Sequence, residues 1–296
     1  MASNLTLRRT GLATVAAASY GAAVYFTYQF MTVNVEKQAK ALNEASKSYS
    51  SSSKLGCSCH ERESEHEHSS ITSPQRTQRF SEIAKVYDDQ ISRDELVMGL
   101  PLLRRALLYF NAYGNTLEVG AGTGRNLDYY PKNVDKVVLT DFSEKMLLQA
   151  RDKVKTHEFK DKFQLFVADA VNITNYYPQN TFDTVVDTFG LCSFDDPVAV
   201  LKELQRVCKP DGRILLLEHG RSKNWEGLSN YLDKYAERHA SNWGCVWNRD
   251  LDRIIQDAGL EIEKLDTWHF GKLIHIIISL FLLVMFLSIR VHNFII

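Results

Sequence analysis

Gly120, Gly122 and Gly124 stand at alternate positions directly after the apolar run Leu117-Glu118-Val119. A short strand that stops at such a turn and restarts as a helix exposes backbone N–H groups to a ligand, and glycine lets that ligand come against the main chain. A dinucleotide fingerprint, Gly-x-Gly-x-x-Gly, would need glycine at position 125, which is Arg125. Glu118, just before the first glycine, is also badly placed beside a pyrophosphate. A carboxylate there suits a ligand with a cationic amino-acid group and no phosphate.

Further acids fall where the chain predicts strand tips. Asp141 ends the next apolar run, about 20 residues on, where a carboxylate accepts ribose hydroxyls. Phe142 and Met146 follow it. Asp169 ends the third run and can accept from an adenine amino group, with the Ala170 backbone beside it, and Asp187 ends the fourth. One acid at a strand tip is usually a local cap. Several on consecutive strands beside a glycine loop describe a nucleoside site, because ligands of open α/β sheets bind outside the carboxyl ends of the strands. A nucleoside bearing an amino acid is S-adenosyl-L-methionine. Its expected contacts are Glu118, Gly120, Ala121, Gly122, Gly124, Asp141, Phe142, Met146, Asp169, Ala170 and Asp187. No metal is called for by this chemistry.

Methyl transfer from a sulfonium needs alignment first, and a general base only when the nucleophile carries a proton. His219, at the end of the fifth strand, is the first candidate for that base, ahead of His239 and His269. Cys192 reads as a small buried cysteine. Asp187-Thr-Phe-Gly190 lacks the Asn/Asp-Pro-Pro-Tyr/Phe pattern used on amide or base amino nitrogens, which argues against such acceptors.

The elements that must position these residues alternate. Strands are expected at 116–119, 137–140, 163–167, 182–186, 213–217, 260–265 and 273–279, the last as an edge strand, with a second membrane segment over 273–289 as the alternative. Helices intervene: one capped by Ser143, one over 198–207 stopped by Pro210 and Gly212, and one capped by Asn248 and ended by Gly259. The pattern is α/β, a Rossmann-like seven-stranded sheet with helices on both faces. Ahead of it, Phe80, Ile83, Ala84 and Tyr87, then Leu96, Leu100, Leu103 and Leu107, recur at helical spacing, with Pro101 a kink or break. Residues 221–247 carry three tryptophans and read either as a cover over an apolar substrate or as an ordinarily packed amphipathic helix.

The chain has 296 residues, 45% apolar and 24% charged, with net charge −1. That balance gives no global field for nucleic acid, and no nucleic-acid partner is expected. Five scattered cysteines suggest no disulfide framework. Residues 1–45 form a targeting and anchor segment. Arg8 and Arg9 precede a stretch free of charge from Thr10 to Val35, long enough to span a bilayer as a transmembrane helix and similar to a mitochondrial presequence. Residues 46–75 form a disordered linker rich in Ser, Glu and His. Its Cys57, Cys59, His60, His66 and His68 match no common zinc spacing. The catalytic domain spans 76–271, and an apolar strand and tail spans 272–296.

Residues 80–270 resemble class I S-adenosylmethionine-dependent methyltransferases, with a type 11 methyltransferase domain. The resemblance rests on the glycine loop, Asp141-Phe-Ser-x-x-Met146, Asp169 and Lys209-Pro-Asp-Gly212. More narrowly, Leu117 to Asn126, Asp187 to Ser193, Leu217-Glu-His-Gly-Arg-Ser222 and Trp243-Gly-Cys-x-Trp-Asn-Arg-Asp250 resemble the membrane-anchored mitochondrial methyltransferases typified in fungi. Microsomal thiol-methyltransferase-like proteins and ubiquinone-type C-methyltransferases are more distant. The resemblance implies an enzyme held in the mitochondrial inner membrane, methylating a small-molecule, lipid-like or membrane-associated acceptor. The endoplasmic reticulum membrane is the alternative site, and a non-catalytic mitochondrial assembly factor the alternative role. A nicotinamide dehydrogenase is disfavoured by Glu118 and Arg125. The tail departs from the family by becoming almost wholly apolar.

Overall fold

A computed structural model of the chain describes residues 71–222, 225–268 and 273–279. The expected N-terminal anchor, nearly all of the expected linker, His269 and the tail beyond 279 lie outside the described residues. Among the described residues no helix is long and apolar enough to cross a membrane.

Seven strands form one sheet: β1 Gly114–Val119, β2 Val134–Asp141, β3 Phe163–Val167, β4 Phe182–Thr188, β5 Cys208–His219, β6 Lys264–Trp268 and β7 Leu273–Ser279. Their order is β3-β2-β1-β4-β5-β7-β6. The first five run parallel, and β7 pairs antiparallel with both β5 and β6. The sheet therefore reverses strand order between β1 and β4, and the glycine loop leaves β1 at that switch point, where α/β sheets open a ligand crevice.

Three expectations are corrected here. The 273–279 strand is not the edge: it is inserted between β5 and β6, where both of its backbone edges are paired. The sixth strand starts at Lys264 rather than 260, because Leu260 and Ile262 are spent in the core. Asn248 is not a helix cap. The cap is Asp250, whose carboxylate accepts from Arg253 N at 3.2 Å, while Asn248 donates to Asp233 at 2.9 Å. The fifth strand also runs longer than expected. It begins at Cys208, opposite Phe182, and bulges through Lys209–Gly212 before Arg213 pairs with Thr184.

Eight α-helices surround the sheet among the described residues. They are α1 Ser73–Ile83, α2 Tyr87–Val97, α3 Leu100–Asn111, α4 Glu144–Thr156, α5 Pro197–Val207, α6 Glu226–Lys234, α7 Ala236–Trp243 and α8 Leu251–Asp257. Pro101 acts as a break: α2 stops before Gly99, and Pro101 sits in the first turn of α3. Both faces of the parallel strands are covered, so their residues are apolar in unbroken runs. Leu117, Val119, Val185 and Ile214 pack against Val200, Leu204 and Val207 of α5 and Ile255 of α8. Leu139, Val186, Leu215 and Leu217 pack on the other face against Leu107 and Leu108 of α3 and Leu147 of α4. Each such side chain contributes roughly 1.5–3 kcal/mol of burial. This rigid base fixes where the strand tips stand.

Candidate active site

The loop after β1 is bent by its glycines. Gly122 has φ +55° with only open space where a Cβ would go, so backbone conformation rather than crowding requires glycine there. At Gly124 packing decides as well: a Cβ would meet Leu127 at 2.8 Å and Ala150 of α4 at 3.1 Å. The loop is held to β2 through Asp141, whose Oδ2 accepts from Gly122 N at 2.9 Å and Oδ1 from Ser143 N at 2.8 Å. Burial pushes the Asp141 carboxyl up to about 6, against those two donors. Ser143 in turn caps α4, its Oγ accepting from Met146 N at 3.4 Å.

Glu118 is fully engaged within the protein. Its two oxygens accept from Asn126 Nδ2 at 3.0 Å and from the Tyr130 hydroxyl at 2.5 Å. Burial raises its carboxyl to about 7 despite these bonds. Asn126 also accepts from Arg104 of α3 at 2.9 Å, and Arg104 reaches Thr188 at the end of β4 at 2.8 Å. A buried polar chain thus ties the loop to α3 and β4.

Arg125 supplies the second tie. Its guanidinium pairs with Glu95 and, at 3.2 Å, with Asp88, both on α2. Glu95 is shared with Arg104 at 2.9 Å, and Asp88 with Lys153 of α4 at 2.5 Å and with the Thr123 hydroxyl at 2.6 Å. Burial works against Asp88, but Lys153 and Thr123 win and hold its carboxyl below the usual range. The residue that replaces a dinucleotide-type glycine is therefore the clamp that lays α2 over the loop.

Between α2 and the loop lies a cavity of about 400 Å³. Glu118, Gly120, Ala121, Gly122, Asp141, Phe142, Met146 and His219 line it. Gly124, Asp169, Ala170 and Asp187 do not. Gly124 is turned into packing. Ala170 is buried in the core, and exposed Asp169 uses its carboxylate as a local cap for Val171 N at 3.1 Å. Asp187 is completely buried, under Gly190, whose missing Cβ would lie 2.0 Å from Asp187 Oδ1.

The far half of the cavity is aromatic. Phe189, Phe194, Trp243 and Trp247 line it, with Tyr87 and Phe80 closing the side toward α1. Phe189 takes φ +60°, a left-handed backbone that a bulky residue adopts only under constraint, and Arg104 lies 5.0 Å over its ring. His239 also reaches the cavity and stacks on Trp247 at 3.8 Å. So α7 and the following turn form one wall, where the substrate-cover reading of 221–247 puts one.

His219 meets two thiols. Cys245 Sγ lies 3.3 Å from His219 Nε2, and Cys192 completes a group whose ligand atoms all fall within 4.8 Å of one another. Cys192 is buried as expected, yet it is not an isolated filler. Its bond with Cys245 and the nearby His219 hold its thiol well below the ordinary range, while burial and Cys192 push Cys245 up. Behind this group, Asp187 and Glu218 lie side by side. Burial raises both carboxyls, helped at Asp187 by Cys192 and Glu118 and at Glu218 by Asp187 and Cys192. Glu218 Oε1 accepts from Gly190 N at 3.0 Å, whereas Asp187 Oδ1 and Oδ2 and Glu218 Oε2 meet no donor.

A methyltransferase domain model matches residues 117–216. The chain is 35% identical over 214 residues to the mitochondrial methyltransferase OMS1 of Saccharomyces cerevisiae, covering 66% of this chain and 44% of that protein. It thus spans less than half the length of that relative. It is 34% identical over 165 residues to the phosphatidylethanolamine N-methyltransferase of Cereibacter sphaeroides, 54% of this chain and 77% of that one. It is 31% identical over 160 residues to the ubiquinone/menaquinone biosynthesis C-methyltransferase UbiE of Hahella chejuensis, 50% of this chain and 64% of that one. Among solved structures, a methyltransferase in complex with its Haloferax volcanii activator shares the fold at a TM-score of 0.53 with 16% identity, over 68% of this chain and 97% of that one. DhpI in complex with SAH does so at 0.50 with 16% identity, over 70% and 96%. Strand order, loop, cavity and relatives agree: the chain belongs to the S-adenosylmethionine-dependent methyltransferases.

Proposed function

We propose that the protein transfers the methyl group of S-adenosylmethionine to a small, lipid-like acceptor at a mitochondrial membrane, where its N-terminal segment anchors it. The observation that carries this reading is the continuity of one cavity from the glycine loop to an aromatic chamber. The loop end offers what a nucleoside with an amino acid needs. Asp141 has used one acceptor site on each oxygen and keeps others for ribose hydroxyls. Gly122 leaves backbone open at the cavity wall. Phe142 and Met146 supply apolar surface for a base. Asp187, and Asp169 with Ala170, belong to this proposal only through second contacts, since none of them lines the cavity.

The bound cofactor supplies a methyl group on a positively charged sulfur that leaves with its electron pair when the acceptor attacks in line. The chain's own residues do the rest. The Arg125 clamp holds α2 so that water is excluded from the loop side. Phe189, Phe194, Trp243 and Trp247 orient an apolar acceptor. His219 stands at the acceptor end, where a proton is taken from a hydroxyl, thiol or ammonium before attack. One relative is named a phosphatidylethanolamine N-methyltransferase and another a C-methyltransferase of ubiquinone/menaquinone biosynthesis, which supports an amphiphilic substrate. The name of the yeast relative supports the mitochondrial address.

The test is calorimetry of the full chain with S-adenosylmethionine, followed by transfer of labelled methyl to lipid extracts of mitochondria. Micromolar binding that Asp141→Ala weakens, and label in an extractable lipid, are expected. Absence of cofactor binding, or affinity unchanged in Asp141→Ala, overturns the reading.

A further inference from the structure

Cys192, His219 and Cys245 come from three separate segments: the turn after β4, the end of β5 and the turn after α7. Thiol and imidazole groups that meet by chance in a core are seldom turned so that all their donor atoms converge. Here the three atoms lie within 4.8 Å of one another, and Cys245 Sγ to His219 Nε2 is 3.3 Å. Around one tetrahedral zinc, with Zn–S of about 2.3 Å and Zn–N of about 2.0–2.1 Å, neighbouring sulfurs stand ~3.8 Å apart and sulfur and nitrogen ~3.6 Å. The observed group needs only side-chain adjustment to reach those values.

The surroundings point the same way. Cys192 and Cys245 are buried, while His219 and Cys245 line the cavity. Three ligands are thus on the protein side, and the fourth position opens toward the aromatic chamber. That is the layout of a zinc site with an exchangeable ligand rather than a closed structural one. Asp187 and Glu218 add an independent sign. Both are wholly buried, three of their four oxygens have no donor, and both lie within electrostatic reach of Cys192.

We propose that Cys192, His219 and Cys245 bind a zinc ion whose open position faces the acceptor chamber. In the bound state both cysteines are thiolates, any thiol proton having passed to solvent, so two thiolates neutralise the dication and a neutral imidazole completes the set. Where the methyltransferase reading also holds, an acceptor thiol or hydroxyl takes the fourth position and loses its proton to solvent there. His219 then serves that acceptor through the ion instead of taking its proton directly. The ion site itself does not depend on that reading.

The experiment uses the reduced full chain, without cofactor or acceptor. Zinc per chain is counted after equilibrium dialysis, and Co²⁺ is substituted to read the ligands by absorption. One tightly held ion, tetrahedral d–d bands and thiolate-to-cobalt charge transfer are expected. Cys192→Ser and Cys245→Ser should each weaken the ion at least tenfold. Cys208→Ala, and Cys57→Ser with Cys59→Ser, should retain it. S-adenosylmethionine binding by each variant reports whether it still folds. If a serine variant does not, the wild-type charge-transfer intensity, which scales with the number of thiolates, reads the ligand set instead. No stoichiometric ion in the reduced wild type, or an ion kept by the doubly serine-substituted protein, overturns the site. A chain that binds zinc but no S-adenosylmethionine retains the site and refutes the methyltransferase reading.

Discussion

Glu118 gives a prediction with a definite sign. Its carboxyl is buried under the loop, and its midpoint rises from 4.5 to about 7, burial being the main cause. The folded chain therefore binds this proton more tightly than the unfolded one. Its contribution to stability is complete below pH 4.5, falls as pH rises, and is lost by about pH 7. At ~1.4 kcal/mol per pH unit the loss is about 3 kcal/mol. Glu118→Gln is the informative perturbation. The amide oxygen still accepts from Asn126, and the amide nitrogen donates to the Tyr130 oxygen, so both partners in the native pair are kept. The cost of rearranging the Tyr130 hydroxyl is about 1 kcal/mol and does not vary with pH. Urea unfolding of both proteins from pH 4.5 to pH 8 measures the difference. The variant is expected to gain on the wild type by about 3 kcal/mol across that range. A flat difference, or one that moves against the variant, would refute the reasoning. It would show that Arg104 and the donors outweigh burial and that Glu118 is ionised throughout. A second arm uses the cofactor. If the ammonium of S-adenosylmethionine lies near this carboxylate, wild-type affinity rises with pH through 7, and the affinity of Glu118→Gln does not.

Other outcomes follow from the same geometry. Asp141→Ala removes the acceptor of the Gly122 and Ser143 N–H groups as well as the proposed ribose contact; at roughly 1.5–3 kcal/mol for each bond to a charged group, S-adenosylmethionine affinity should fall at least 100-fold by calorimetry. Arg125→Gly restores the glycine of a dinucleotide fingerprint but removes the loop's ion pairs to Asp88 and Glu95 of α2. Cofactor affinity should fall about tenfold, roughly 1.4 kcal/mol, and fluorescence transfer should still detect no NADH binding. Phe189→Gly relieves a left-handed backbone but loses the ring beneath Arg104. Thermal unfolding should shift by no more than a few degrees while methyl transfer to an apolar acceptor drops. Gly122→Arg forces a side chain onto a positive-φ position in the cavity wall and should abolish cofactor binding with little loss of secondary structure by circular dichroism.

The parts of the site that were legible in the sequence are those made by consecutive residues. A strand, a glycine turn and a helix start are neighbours in the chain, so Gly120, Gly122 and Asp141 could be placed from spacing and local backbone chemistry. Parallel strands buried on both faces announce themselves as unbroken apolar runs, which places all five parallel strands, although β5 begins at Cys208 rather than at the expected 213. Asp169 looked equivalent to Asp141 on that logic. Its carboxylate instead turned to its own helix, because capping Val171 needs no partner from elsewhere in the fold. What spacing could not supply was contact between distant segments. Arg125 and Glu95 are 30 residues apart and meet only because α2 folds back over the loop. Cys192 and Cys245 are separated by α5, β5, α6 and α7, so Cys192 read alone as packing. The position of β7 was also hidden, since an apolar β-branched run is compatible with an edge or an interior strand, and only pairing to both β5 and β6 decides.

Arg125 shows how these two kinds of information combine. Read locally, it was a negative sign, the glycine that a dinucleotide enzyme would need and this chain lacks. In the fold it has a positive task. It anchors α2 through Asp88 and Glu95, and that helix brings Tyr87, Ile91 and Glu95 to the cavity. A glycine at 125 would leave Asp88 with Lys153 and Thr123 and Glu95 with Arg104, so α2 would keep one bond to the loop, through the Thr123 hydroxyl, and lose both ion pairs to it. The departure from the dinucleotide pattern and the closure of the cofactor chamber therefore have one cause.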